Sequence, residues 1–279
     1  MNRFKMLVLD IDGTILNSAG ALSARTWSAV VRARHAGLLV TLATGRNWAQ
    51  SQPVAAELGI TGPIVVSNGA LVATPGTGEV LLHRPLESQV AVHAVRSLQR
   101  LGFCVFASRG ELGGASLLFE QPPLNPAAAR LLQQDPASCM QVYDLAGASA
   151  AGNALNVFTV DSAEAITSAA PRLRRHLPRA ADLLVMPEGN GYALLEITTP
   201  GVTKATGVQS LATRYGLTMN DVIAIGDNLN DLELLRAAGL AVAMGNASAE
   251  VQKIADIVTD THDRDGVAAF LEEYVFKVA

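Results

Sequence analysis

Apolar positions along this chain follow two rhythms that alternate. Through residues 6 to about 70, short unbroken apolar runs exchange with stretches whose apolar residues recur at helical spacing. "MLVLDI", "LLVTLAT" and "PIVVSNG" are the unbroken runs, and their continuity predicts strands buried on both faces of a parallel sheet. Between the first two, "SARTWSAVVRARHAG" predicts a helix with Trp27, Val30 and Val31 on its apolar face, Ser23 as N-cap and Gly37 as its stop. "NWAQSQPVAAELG" predicts a second helix with a break near Pro53. After residue 203 the alternation returns. "TKATGVQSLATRYG", "NDLELLRAAG", "SAEVQKIA" and "DGVAAFLEEYVF" read as helices, and "DVIAIGD" and "LAVAMG" as strands.

Residues from about 82 to 198 look different. Strand-like runs ("FCVFAS", "SLLFEQ", "CMQVYDL", "ALNVFTV", "ADLLVM", "YALLEIT") stand between turns rich in Pro, Gly and Ala. Helical spacing shows only near residues 87–101 and 162–176, and "AGASAAGNA" reads as a loop. The expected organisation is an α/β, Rossmann-like, doubly wound parallel sheet built from residues 1–82 and 199–279. An α+β domain over residues 83–198 is inserted into it.

Composition narrows the function classes. With 279 residues, 49% hydrophobic and 16% charged, the chain can bury a sizeable core. A net charge of −4 speaks against a nucleic-acid partner held by bulk electrostatics. The two cysteines, Cys104 and Cys139, offer neither a disulfide framework nor a Cys-rich metal site. Apolar runs stop far short of the roughly 18–20 residues a membrane span needs. The run after "MNRFK" ends at Asp10 after four residues, too few for a signal peptide. A cytoplasmic monomer or weak homodimer, with no membrane partner, is the expectation. The five histidines show no metal-ligand spacing, and "RLRRHLPR" (172–179) reads as a solvated basic helix face or as a contact for an anionic substrate or partner.

In open parallel sheets, ligands sit beyond the carboxyl ends of the strands. Here those ends share one chemical theme. The first carries Asp10 and Asp12, the second Thr44, Gly45 and Arg46, and the third Ser67, Asn68 and Gly69. The strand after the insert carries Gly226, Asp227 and Asn228, with Asn230 and Asp231 just beyond, and Lys204 opens the preceding helix. Two carboxylates about 4 Å apart repel by about 4 kcal/mol at an effective dielectric near 20, so such a cluster calls for a cation or a reaction. Four carboxylates against one Lys and one Arg leave a pocket charge near −2, and hard oxygen ligands of this kind suit Mg²⁺.

"DIDGT", "ATGR", the lysine of "PGVTKATG" and "GDNLND" follow the order of the four motifs of the haloacid dehalogenase superfamily, and the chain resembles that family. Only about 30 residues separate Asp12 from Thr44, while 160 separate Thr44 from Lys204, so the insert falls after the third strand. That placement is similar to the type-two branch with a C2 cap. "TGR", "SNGA", "LEIT…GVTK" and "GDNLND" resemble its Cof-type IIB members. Ala205, where many relatives carry glycine, is a small departure.

The resemblance implies a Mg²⁺-dependent phosphatase acting on a small phosphorylated metabolite such as a sugar phosphate. It implies Asp10 as nucleophile and Asp12 as general acid and base, with Thr44 and Lys204 holding the phosphoryl oxygens. Asp10, Asp227 and the carbonyl of Asp12 would hold the metal, supported by Asp231. Gly45 would complete the phosphate site, and Asn230 would reach the phosphate or position Lys204. For Arg46 two readings stand open, a substrate contact or an ion pair at a helix start. Two alternatives accompany the phosphatase: a phosphosugar mutase of the phosphomannomutase type, and a non-enzymatic binding or regulatory protein on the same fold.

Overall fold

Met6–Leu9 (β1) is an inner, fully buried strand of a five-stranded parallel sheet in the computed structural model, which describes residues 4–277. Ala24–His35 (α1) follows, and the Ser23 side chain accepts a hydrogen bond from the Thr26 N–H at 3.0 Å, closing the helix start. Its buried face is Thr26, Ala29, Val30 and Ala33. Trp27, expected on that face, is instead 43% exposed, and its ring N–H donates to the Glu57 carbonyl at 2.8 Å. A bulky indole lies on the flank because small residues let the helix sit close to the sheet. Leu39–Leu42 (β2) pairs in parallel with β1. Trp48–Glu57 (α2) runs unbroken through Pro53, against the expected break. The ring forfeits one N–H bond there, but its fixed φ is helical.

Ile64–Val66 (β3), Leu71–Ala73 (β4) and Val80–His83 (β5) form a small separate sheet. β3 also joins the parallel sheet through one bridge, Ala43 to Val65.

Contacts divide the chain into two units. One comprises the residues through Arg46, Ser51–Leu82 and those from Thr203 onward; the other comprises Asn47–Gln50 and His83–Val202. In chain order the second contains Ser88–Arg100 (α3), Phe106–Arg109 (β6), Leu117–Phe119 (β7), Pro126–Gln134 (α4) and Cys139–Gln141 (β8). Leu145–Ser149 (α5), Ala154–Ser162 (β9), Ala163–His176 (α6), Asp182–Gly189 (β10) and Tyr192–Thr198 (β11) complete it. Its sheet runs β10-β11-β9-β6-β7-β8. α3, α5 and α6 cover the face carrying Ala107, Val157, Leu195 and Ile197. Side chains alternate across a strand, so Phe106 and Phe158 point the other way, where Ala127 and Ala128 of α4 meet them.

Two of these helices escaped the periodicity reading. Asn125 caps α4 by accepting from the Ala128 N–H at 2.8 Å, with Pro126 at the first helical position. From sequence alone the neighbouring prolines read as a turn. α5 takes the first residues of "AGASAAGNA", where alanine supplies helix propensity without any apolar rhythm.

The chain then returns to the first unit. Lys204–Arg214 (α7), Val222–Gly226 (β12), Leu232–Ala237 (α8), Leu240–Ala243 (β13), Ala249–Ile254 (α9), Ile257–Val258 (β14) and Gly266–Phe270 (α10) follow. The sheet order is β14-β13-β12-β1-β2, all parallel. Leu9 lies level with Ile225 on one side and Leu42 on the other, so three strands deliver their carboxyl ends to one rim. Among the described residues no helix is long and apolar enough to cross a membrane.

Candidate active site

Lys204 organises this rim. It is the first residue of α7, whose start is fixed by reciprocal bonds between Thr203 and Thr206. Its ammonium is buried and lies 2.8 Å from Asp10 Oδ1 and 2.8 Å from Asp231 Oδ1. Asp10 directly follows β1 and is 5% exposed. The second oxygen of Asp231 accepts from the backbone N–H groups of Asp227 and Asn228, at 3.1 and 3.0 Å. Asp231 therefore holds both the lysine and the loop that presents Asp227.

Close approach dictates two glycines. A Cβ on Gly226 would lie 2.4 Å from Asp231 Cγ, and one on Gly13 (φ +73°) would lie 2.3 Å from Asp227 Oδ2. The Thr14 hydroxyl donates to Asp227 Oδ1 at 2.9 Å.

Electrostatically the rim is short of positive charge. Burial raises the Asp10 carboxyl well above the usual carboxylate range; Lys204 opposes the rise, while Asp231 and Asp227 add to it. Burial, then the charge of Asp231, pushes Asp227 up to about 7, against the donating Thr14 hydroxyl. Burial works against charge on Lys204 too, but Asp10 and Asp231 outweigh it and hold the ammonium above the ordinary lysine range. Asp10, Asp227 and Asp231 each offer an oxygen within 4.8 Å of the others. Three clustered carboxylates, with Asp10 and Asp227 resisting ionisation in the bare protein, are a donor set that fits a hard divalent cation.

Asp12 parts company with Asp10. Its side chain is 63% exposed, and both its oxygens bond Arg46, Nε at 2.8 Å and Nη2 at 2.6 Å. The fork-to-fork pair fixes the carboxylate's direction more than it adds stability. Thr44 is buried after β2, its hydroxyl accepting from the Arg46 N–H at 3.1 Å. Asn230 Nδ2 donates to Asn68 Oδ1 at 2.8 Å beside Gly45. All nine residues singled out in the sequence thus lie in the first unit.

Thr14 and Asn246 were not among them. The Asn246 amide donates to the Gly13 carbonyl at 2.9 Å and reaches Asp227 Oδ2 at 3.5 Å, while its oxygen accepts from the His262 N–H at 2.9 Å. Asn246 follows β13, so reading that strand's end like the others would have pointed to it.

The model of the haloacid dehalogenase-like hydrolases matches residues 7–271. A 5-amino-6-(5-phospho-D-ribitylamino)uracil phosphatase of Bacillus subtilis is 29% identical, covering 96% of this chain and 97% of its own. A phosphoglycolate phosphatase of Methanopyrus kandleri is 28% identical, with 98% of each chain covered. The crystal structure of a haloacid dehalogenase-like hydrolase from Bacteroides thetaiotaomicron superposes with a TM-score of 0.83 at 28% identity, covering 96% of this chain and 98% of that one.

Proposed function

This chain belongs to the haloacid dehalogenase-like hydrolases and is a phosphoric monoester hydrolase, and on that premise we propose a Mg²⁺-dependent phosphatase working through an aspartyl phosphate. The relatives above are named for a ribitylaminouracil phosphate and for phosphoglycolate, which share a phosphomonoester and little else. The reacting group is what the rim residues address, and a sugar phosphate or similar small metabolite is the substrate class. Two free thiols, Cys104 and Cys139, suit a reducing compartment such as the cytoplasm.

One observation carries the reading: buried Asp10 is pinned by Lys204 beside Asp227, while Asp12 points elsewhere with its oxygens held by Arg46. In the first step Asp10 attacks phosphorus and the bond to the leaving oxygen breaks, with Asp12 giving that oxygen its proton. In the second, Asp12 takes a proton from water, which attacks the phosphorus and frees inorganic phosphate and Asp10. Thr44, Gly45, Asn230 and Lys204 hold the phosphoryl oxygens, and Lys204 offsets the charge that builds there. Asp10, Asp227 and the Asp12 carbonyl would hold Mg²⁺, with Asp231 supporting through water or through its neighbours. When bound, the ion neutralises the carboxylates and the phosphoryl oxygens. Arg46 acts as a positioning residue for Asp12.

The test is phosphate release from a panel of phosphorylated metabolites with Mg²⁺ and with EDTA. Turnover that EDTA stops is expected; no release from any member would sink the reading. Asp12→Asn should cut kcat/KM for an alkyl phosphate by about 10²–10⁴-fold, but far less for p-nitrophenyl phosphate, whose leaving group needs no proton. Arg46→Ala should show the same selectivity more weakly. An equal loss on both substrates would remove the acid role from Asp12.

Metal and pH should be linked in the melting temperature. Asp227 titrates near 7 when folded and near 3.9 unfolded, so the folded chain holds the extra proton between those values. Stability from this group is whole below about pH 4 and is lost as pH rises through about 7, by no more than about 4 kcal/mol. Asp10 acts in the same direction. Mg²⁺ should therefore raise Tm more at pH 8 than at pH 5. A gain independent of pH, or larger at pH 5, would contradict a cation held by these carboxylates.

A further inference from the structure

Three consecutive residues after β3 lie in the left-handed region: Ser67 at φ 49°, Asn68 at φ 53° and Gly69 at φ 97°. Asn-Gly is ordinary turn chemistry, but a serine placed there is strained, and such strain persists only where surrounding contacts enforce it. An asparagine that serves only a turn bonds its own neighbouring backbone and faces water. Asn68 does neither. It is 5% exposed, and its Oδ1 accepts from Asn230 Nδ2 at 2.8 Å, a partner 162 residues away.

The backbone of the turn is equally engaged. Ser67 N–H donates to the Arg46 carbonyl at 2.8 Å, and Asn68 N–H donates to the Thr44 carbonyl at 3.0 Å. The segment Thr44–Arg46 is thus clamped at both ends. Gly45 lies between the two amides: an added Cβ would sit 3.2 Å from Asn68 Oδ1 and 3.6 Å from Asn230 Nδ2. Two polar atoms of these residues, Ser67 Oγ and Asn230 Oδ1, are buried without a partner among the described residues. Of the two, the Ser67 hydroxyl can donate to a phosphoryl oxygen, whereas Asn230 Oδ1 accepts only and takes a donor such as water.

We infer that Asn68 is a positioning residue for phosphoryl transfer, its side chain fixing Asn230 beside Gly45 and its strained turn aiming that side chain. The inference rests on the reading of Asn230, Gly45 and Thr44 as the phosphate site. With one amide hydrogen committed to Asn68, Asn230 turns its other polar groups in a set direction. A free asparagine side chain would first have to be ordered by substrate.

A double-mutant cycle tests this, using p-nitrophenyl phosphate with Mg²⁺ and inorganic phosphate as competitive inhibitor. Asn68→Gly suits the left-handed backbone and removes only the side chain, so Tm should stay within about 3 °C of wild type. Its kcat/KM should fall by on the order of 10- to 100-fold, with weaker inhibition by phosphate. Combined with Asn230→Ala, it should cost nothing beyond the Asn230→Ala change alone, because Asn68 acts through Asn230. Unchanged activity of Asn68→Gly overturns the inference, and so do losses that multiply in the double variant. A Tm that falls in step with activity makes the residue structural and overturns it as well. Wild-type turnover abolished by Asp10→Asn checks the underlying reading separately; a wild type without turnover overturns reading and inference together.

Discussion

Asp10→Asn is expected to abolish phosphate release, by on the order of 10⁴-fold or more, and yet to melt higher than wild type in metal-free buffer at pH 8. The two effects share a cause. An amide keeps the shape and still accepts from Lys204, but it cannot attack phosphorus to give a hydrolysable acyl phosphate. The same substitution removes a buried charge whose environment resists ionisation, since burial together with Asp231 and Asp227 outweighs the attraction of Lys204. Nucleophiles held this way trade stability for reactivity. Steady-state assay beside differential scanning calorimetry in EDTA would check both halves. Activity within tenfold of wild type would give the attack to another group. A lower metal-free Tm would mean that the 2.8 Å contact with Lys204 outweighs the burial of Asp10.

Lys204→Met should do the opposite to stability and the same to activity. Methionine fills the volume of the lysine stem, but Asp10 and Asp231 lose the ammonium that lies 2.8 Å from each. Removing one partner from a buried ionic group costs about 3–5 kcal/mol, because the others stay buried uncompensated. For a chain of this size that lowers Tm by roughly 10 °C. The penalty should grow between pH 5 and pH 8. Asp10, held well above the usual carboxylate range, takes up a proton more readily as pH falls, and that proton relieves the repulsion. Turnover should fall by about 10²–10³-fold with the loss of a preorganised positive charge. A variant that melts like wild type at pH 8 would show that the lysine bridge does not hold these carboxylates together.

The contrast between the two variants bears on how an acidic rim tolerates itself. Asp231 makes the clearest case: each of its oxygens is bonded to a group of the protein, the ammonium on one side and two backbone N–H groups on the other. Its charge is spent on order, and that order presents Asp227 with Thr14 and Asn246 against it.

The order of the rim was legible in the chain itself. Unbroken apolar runs read as buried strands, polar residues that end them collect at one edge, and Ser23 announces a helix start. Those signals are local, a few residues long, and they fix which residues can meet. Which atoms do meet was decided only in three dimensions. Asp12 bonds Arg46 across 34 residues, Thr14 bonds Asp227 across 213, and Asn68 bonds Asn230 across 162. Trp27 keeps helical spacing but loses its place in the core to Ala29 and Ala33, because helix-to-sheet distance selects side-chain size. β14, with two residues, is too short to carry a rhythm at all. Periodicity sets the face and the end of each element, whereas a hydrogen bond is settled within tenths of an ångström by how the elements pack.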